Sequence, residues 1–357
     1  MFNHHVQQRA TVTTGNRTPR GFSLIEILVV MMILAILTAL IVGAMGPLLT
    51  NAKVAATQTT IEQVGSVIQA RYEAVMTADV SAEANKLAVL NSNLDQADAE
   101  YLIRMALYRQ ALPQCPEDMF GMDLTQATTT NNAPYAGAWS GPNNSDDSPV
   151  TASEVFLLAM TQGSAVRALP GGKSYPVPLL ELDNITQAHL ADSDSDGLRE
   201  LVDEWGTPFR FYNFPTGLMT VSGGNFDIGN AELLISGLPA NLSTSGPLSK
   251  DPFDGSGTHF NHLRGEFTNS PTTNMTYRTG GGTTTTPVAI MSGAAGLDNY
   301  YHPNRTFTPL LVSAGGDLTL GLNEPTNDDS GSAIDANRLC VVTSTTDLTD
   351  NLTNRQQ

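Results

Sequence analysis

The chain has 357 residues, of which 41% are hydrophobic and only 15% are charged. This length allows one large domain or two ordinary ones. A net charge of -17 disfavours binding to the phosphates of nucleic acid, and two cysteines are too few for a disulfide-dense scaffold or for a structural zinc site alone.

The N-terminal segment has the composition of a membrane-spanning helix preceded by a basic leader. Residues 1–21 are polar and carry three arginines but no acidic residue, whereas residues 22–45 carry one charge, Glu26. A helix of that length spans about 36 Å, enough to cross a hydrocarbon core of about 30 Å. The arginines predict a cytoplasmic leader, so the rest of this single-pass chain is expected to face outward.

Two common targeting segments explain this region incompletely. A secretory signal has a shorter apolar region followed by a small-residue cleavage site, and Val42-Gly43-Ala44 matches such a site only weakly. A plain signal anchor accounts for the apolar run and the arginines. Neither one explains the abrupt junction at Gly21-Phe22 or the carboxylate of Glu26, which is costly in hydrocarbon and is therefore expected to have a partner.

The residues at this junction resemble the type IV prepilin signature, in which a basic leader ends in Gly and is followed by Phe, Ser or Thr, two aliphatic residues and Glu. Here the signature reads Gly21-Phe22-Ser23-Leu24-Ile25-Glu26. The resemblance implies cleavage after Gly21 by a prepilin peptidase, N-methylation of Phe22 and retention of the apolar helix. It also implies that Glu26 neutralises the Phe22 amine of a neighbouring subunit, which would set the axial register of a filament.

The helix is expected to resume after a break near Gly43-Gly46-Pro47, because proline removes a helical donor. A seven-residue recurrence of apolar side chains then predicts an amphipathic face, at Val54, Ile61, Ile68 and Val75. These patterns divide the chain into a leader at 1–21, a membrane or filament-core helix at 22–46, its amphipathic continuation at 47–78 and a head at 79–357.

The head is predicted to be of the α+β class, with a small antiparallel sheet packed on the long helix and long loop insertions. Residues 81–112 predict one or two helices that stop at Pro113, and a capping box from Thr151 to Glu154 predicts the start of another. Predicted strands are short: one near 209–214, two joined by a turn within 309–322, and a last one at 338–344. Low-complexity loops are predicted near 125–150 and 239–287.

Two head segments resemble the major pseudopilin of type II secretion. They are Trp205-Gly206-Thr207-Pro208-Phe209 and Ser313-Ala314-Gly315-Gly316-Asp317. This resemblance implies a small antiparallel sheet on the long helix. The chain is much longer than a typical major pseudopilin, which fits better a minor, capping or specialised subunit, or a lineage with large inserts. Tip subunits of the family often lack the glutamate, so Glu26 argues against a tip position.

An acidic run from Asp192 to Asp203 has the spacing of a calcium-binding loop. Ligand oxygens fall at positions 1, 3, 5, 9 and 12, with Gly197 at position 6, where the chain must turn sharply. The predicted ligands are Asp192, Asp194, Asp196, Leu198 through its carbonyl, Glu200 and Asp203. Aspartate at the last position predicts a modest affinity, which suffices for a structural calcium ion outside the cytoplasm. A solvated acidic turn is the alternative.

The remaining residues that could carry chemistry are few. Cys115 and Cys340 could form a disulfide outside the cytoplasm, or could be two separate buried thiols. His259 and His262 have a metal-like spacing, but a Gly/Thr-rich setting favours a pair of loop histidines. No spacing indicates a nucleophile elbow or a phosphate loop, so we predict no enzymatic activity.

The favoured interpretation is a structural subunit of a type IV pilus-like filament, most similar to a type II secretion pseudopilin. Its expected partners are the prepilin peptidase, other pilin-like subunits, an inner-membrane assembly platform and, before assembly, the membrane. No nucleic-acid partner is expected. A surface pilin for adhesion or motility is the alternative within this architecture. From another class, the chain could be a signal-anchored extracytoplasmic binding module or enzyme.

Overall fold

A computed structural model describes residues 23–90, 94–114, 116–119, 149–169, 171–185, 187–195, 197–213, 215, 218, 220–222, 225–227, 234, 259, 276–278, 287–289, 309–324 and 340–355. The chain divides into two compact units, Met1–Asn51 and Ala52–Gln357. The first contributes the apolar helix, and the second contains the cores described below.

The longest element is helix α1, Leu24–Met76. Among the described residues it is the one helix whose length and composition would allow it to cross a membrane. The predicted break near Pro47 is wrong, because α1 continues through the proline. Proline removes one hydrogen bond, and that loss is tolerated in a helix that is long on both sides.

The second half of α1 packs its predicted apolar face into the head. Ile61, Ile68 and Val75 are buried, together with Val64, and Val54 is partly buried. Burial at this spacing confirms the amphipathic pattern, since residues three, four and seven apart share one side of a helix.

Three shorter helices surround this face: α2, Ser81–Leu90; α3, Gln96–Ala111; and α4, Pro149–Gln162. Asp95 caps α3 by accepting a hydrogen bond from the Asp98 amide, and the helix ends just before Pro113, as predicted. Helix α4 begins two residues before the predicted capping box at Thr151. The helix begins at Pro149. Proline lacks a backbone N–H, but the N–H groups of a first helical turn have no partner within the helix, so proline is tolerated there.

All strand pairs are antiparallel. The strands are β1 Ala165–Val166, β2 Tyr175–Pro176, β3 Leu190–Ala191, β4 Glu200–Leu201, β5 Arg210–Tyr212, β6 Thr220–Ser222, β7 Asn225–Asp227, β8 Thr276–Arg278, β9 Pro287–Ala289, β10 Leu310–Ser313 and β11 Leu352–Thr353. Pairs form between β1 and β2, β3 and β4, β6 and β7, and β8 and β9, and a three-stranded sheet has the order β11-β10-β5. Together with the helices, these sheets confirm the α+β class.

The three-stranded sheet is the centre of the head. Leu311 of β10 lies opposite Phe211 of β5, and Val312 lies opposite Thr353 of β11. The predicted second strand within 309–322 is wrong, because the chain turns after β10 and Leu322 makes a single bridge to Val342. Strand β11 pairs with β10 instead. Of the expected strand at 338–344, the described residues 340–344 form only that bridge.

Helices and sheet share one core, in which the ring of Phe156 on α4 stacks on Phe211 at 4.3 Å between centroids. Arg71 of α1 is fully buried beside this contact region and donates to the carbonyl oxygens of Ala159, at 2.7 Å, and Gly163. Both carbonyls lie at the C-terminal end of α4, where helical partners are lacking and negative partial charge accumulates. These hydrogen bonds from Arg71 therefore link the C-terminal end of α4 to α1.

The predicted insertions are described only in part. Residues 120–148 lie outside the described residues, so the predicted loop near 125–150 is untested there. Within 239–287, the described residues include the antiparallel pair β8–β9 at its end and His259, whose Nδ1 lies 2.8 Å from Asp98 Oδ1 at the start of α3. His259 therefore contacts the helical part of the head.

Candidate functional site

The N-terminal candidate site begins at Ser23, because Gly21 and Phe22 lie outside the described residues. Ser23 and Glu26 form a reciprocal cap at the start of α1. The Ser23 amide and hydroxyl donate to Glu26 Oε2 at 3.1 and 3.2 Å, and the Glu26 amide donates to Ser23 Oγ at 3.2 Å. This is the capping-box arrangement, which holds the carboxylate of Glu26 at the helix N-terminus, four residues after Phe22 in the sequence.

Glu26 is the one charged residue in the apolar half of α1. Its neighbours Leu24 and Ile25 are exposed apolar side chains. The next charged residue along the chain is Lys53, which a straight helix places about 40 Å away. The helix N-terminus favours the negative charge only partly.

The acidic loop between β3 and β4 turns through two residues with positive φ, Ser195 at 65° and Gly197 at 97°. Asp192 closes the turn by accepting a hydrogen bond from the Gly197 amide at 3.2 Å. Asp192 and Asp194 are exposed and Leu198 is partly buried, while Asp196 lies outside the described residues. The predicted glycine therefore occupies a conformation that favours glycine.

Glu200 is the buried acidic residue of this loop. Burial raises the pKa of its carboxyl, hydrogen bonds from Ser193 oppose that rise, and the charge of Asp194 adds to it. A carboxylate oxygen of Glu154, on α4, completes a group in which Glu154, Asp194 and Glu200 oxygens all lie within 4.8 Å of one another. Sequence analysis missed Glu154 as a candidate ligand, because its spacing from Thr151 matched a helix cap.

Asp203, the last predicted ligand, has a different set of contacts. Its Oδ1 accepts hydrogen bonds from the Trp205 and Thr207 amides, both at 2.9 Å, and its Oδ2 accepts one from the Ser313 hydroxyl at 2.6 Å. The structure thus brings together Asp194 and Glu200 from the predicted set and adds Glu154. It also places Asp203 where its carboxylate holds the Trp205 turn.

The Asp203–Ser313 hydrogen bond joins the two segments that resemble pseudopilins, which are far apart in sequence. The Trp205 turn also docks on α1, where the Glu204 amide donates to Thr57 Oγ1 at 3.2 Å. The turn after β10 packs against residue Asp350, since a Cβ built on Gly315 would lie 2.3 Å from the Asp350 carbonyl oxygen. Both segments therefore shape one end of the three-stranded sheet.

Cys340 is fully buried in a second apolar cluster beside Tyr212 and Leu310. Burial raises the pKa of its thiol well above the usual range. Cys115 lies outside the described residues, so the disulfide stays a prediction.

Comparison with known proteins bears on the N-terminal site. The family model of the prokaryotic N-terminal methylation motif matches residues 16–42. No curated protein and no solved structure matches the chain. The match confirms the prepilin-type signature predicted from the residues around Gly21 and Glu26, and it supports a type IV pilin-like protein processed by a prepilin peptidase. It fits a membrane-anchored single-pass protein, and it does not extend into the head.

Proposed function

We propose that the protein is a structural subunit of a type IV pilus-like filament, of the pseudopilin kind used in type II secretion. The observation that carries the proposal is the Glu26 carboxylate, held by Ser23 at the start of an apolar helix that bears the methylation motif. A carboxylate in that setting needs a cation, and leader cleavage creates one at Phe22.

The work of such a subunit is assembly rather than catalysis. The apolar helix stores each subunit in the inner membrane, with the head in the periplasm. Cleavage after Gly21 frees the Phe22 amine, which pairs with Glu26 of a neighbouring subunit as an inner-membrane platform lifts subunits into a filament. The pair of opposite charges fixes the axial register, since any other register leaves both charges buried and unpaired.

The head favours the pseudopilin form over a surface pilin for adhesion or motility. Its two pseudopilin-like segments come from distant parts of the chain and are joined by the Asp203–Ser313 hydrogen bond at 2.6 Å. An anchored binding module or enzyme is the alternative of another class.

The experiment that tests the proposal is mass spectrometry of the N-terminal residue of the protein purified from membranes. We expect N-methylated Phe22. A mature protein that starts at Met1 would be a signal-anchored protein, and one that starts near Met45 would be a secreted protein without the apolar helix. Either result overturns the filament proposal.

We also propose a structural calcium ion in the acidic loop, bound by Asp192, Asp194, Asp196, the Leu198 carbonyl and Glu200, with Asp203 at the end of the loop. Glu154 of α4 joins this set, because its carboxylate lies with those of Asp194 and Glu200. Three carboxylates so close together repel one another, and burial of Glu200 opposes its ionised form, so a bound cation would relieve both costs.

Calcium should stabilise the full chain in detergent micelles. At about 100 times the dissociation constant, binding adds about 2.7 kcal/mol, or roughly 5–10 °C in Tm for a domain of this size. Glu200→Gln should abolish most of this gain, measured as the Tm difference between calcium and chelator. Asp183→Asn, at an exposed acidic residue outside the loop, should keep it. An equal calcium response in both variants would rule out the loop as the site.

A further inference from the structure

Lys53 and Trp205 lie side by side where the head follows the apolar segment of the chain. The Lys53 ammonium is 5.8 Å from the centroid of the Trp205 ring, within the range of a cation–π contact. Lys53 is also the first charged residue after Glu26, and it follows the exposed Leu49 by four residues. Those four residues belong to α1, so about one helical turn, or roughly 6 Å, separates Lys53 from the apolar run.

The turn after β10 adds an exposed apolar side chain to this neighbourhood. A Cβ built on Gly316 would lie 3.8 Å from the Trp205 indole nitrogen, so the turn lies against Trp205. Leu318, two residues on, has a φ of 64° and is 56% exposed. A leucine rarely adopts this backbone conformation, and such strain is most often kept where the side chain has a use.

These side chains match the chemistry of the interface between membrane and water. An indole ring has an apolar body and a polar nitrogen, and tryptophan concentrates at the level of the lipid headgroups. A lysine beside it can bury its stem and extend its ammonium to a lipid phosphate. The exposed carboxylate of Asp317 lies nearby, and Glu204 is 3.4 Å from His189, so this neighbourhood is not a basic patch. General attraction to anionic lipid would therefore contribute little.

We propose that Lys53, Trp205 and Leu318 form a lipid-contacting edge, by which the head rests on phospholipid headgroups before assembly. Lys53 contacts the phosphate, and Trp205 and Leu318 enter the headgroup layer. The proposal rests on the membrane storage step of the proposed function. It adds that leaving the membrane requires release of this edge as well as extraction of the apolar helix.

The test uses the full chain in phosphatidylcholine vesicles. The chain has two tryptophans, so Trp139→Phe leaves Trp205 as the single fluorescent reporter. Lipids brominated near the headgroup end of their acyl chains should quench Trp205 more strongly than lipids brominated near the bilayer centre. Lys53→Gln should reduce this quenching to about half, because the ring loses its cation and its anchor to the phosphate.

Lys173→Gln is the matched control, since the Lys173 ammonium also lies over an aromatic ring, that of Tyr175 at 4.8 Å. It should leave the quenching unchanged. Free access of aqueous iodide to Trp205, with no quenching by brominated lipid, would overturn the proposal. Protection of Trp205 from iodide that increases with protein density, again without lipid quenching, would assign this edge to contacts between subunits. That result would also overturn the proposal.

The N-terminal residue of the same sample separates this proposal from the proposed function. Lipid quenching in a protein that starts at Met1 would retain the lipid-contacting edge while overturning the filament. N-methylated Phe22 without lipid quenching would do the reverse.

Discussion

Glu26→Gln is expected to abolish filament assembly while leaving leader removal intact. Glutamine at this position can still accept the Ser23 amide hydrogen bond, so the cap of α1 is kept and only the charge is lost. The Phe22 amine of every subunit would then be buried without its counter-charge, which costs about 3–5 kcal/mol for each subunit. Electron microscopy and crosslinking of cells that overproduce the protein measure assembly, and mass spectrometry of the N-terminus measures processing.

Two further variants make this result specific. Glu62→Gln removes an exposed carboxylate from the same helix and should assemble normally. Ser23→Ala keeps the Glu26 charge but removes the hydroxyl bonded to it, and we expect weakened rather than abolished assembly. Normal filaments from Glu26→Gln would show that assembly does not depend on pairing of this carboxylate with the amine, whereas a native chain that forms no filaments would favour the signal-anchored alternative.

The prepilin-type signature and the long helix were predictable from the sequence because their signals are local. The carboxylate of Glu26 stands out within an apolar run that is otherwise free of charge. The buried face of α1 follows from side-chain spacing, since Ile61, Ile68 and Val75 recur at the helical period. Leader, junction and spacing can all be read without knowing what any residue contacts.

Features that depend on distant contacts were not predictable. Glu154 approaches Asp194 and Glu200 only because α4 packs beside β4, and no spacing in the sequence records that approach. Strand β11 is two residues long, too short for an alternating pattern, and it exists because β10 offers it an edge. Pro47 wrongly predicted a break in α1 for the opposite reason, because the long helix on both sides outweighs the local preference of proline.

Gly315→Ala is expected to cause a large loss of stability in the head. Gly315 has a φ of 72°, which costs an L-residue about 1–2 kcal/mol. The new Cβ would also lie 2.3 Å from the carbonyl oxygen of Asp350, and this backbone atom cannot move aside without shifting the turn that precedes β11. Together these costs come to about 3–5 kcal/mol, or roughly 10 °C in Tm.

The adjacent glycine provides the control. A Cβ on Gly316 would lie 3.6 Å from the Asp350 carboxylate, which is ordinary van der Waals contact, so Gly316→Ala should melt within about 2 °C of the native chain. Thermal unfolding of the purified full chain compares the two. Ser313, at the end of β10 and two residues before Gly315, donates to Asp203, so displacing Gly315 should also loosen the Trp205 turn and shift the Trp205 fluorescence. Equal melting of both variants would mean that the turn after β10 does not pack against Asp350, and the link between the two pseudopilin-like segments would lose its structural basis.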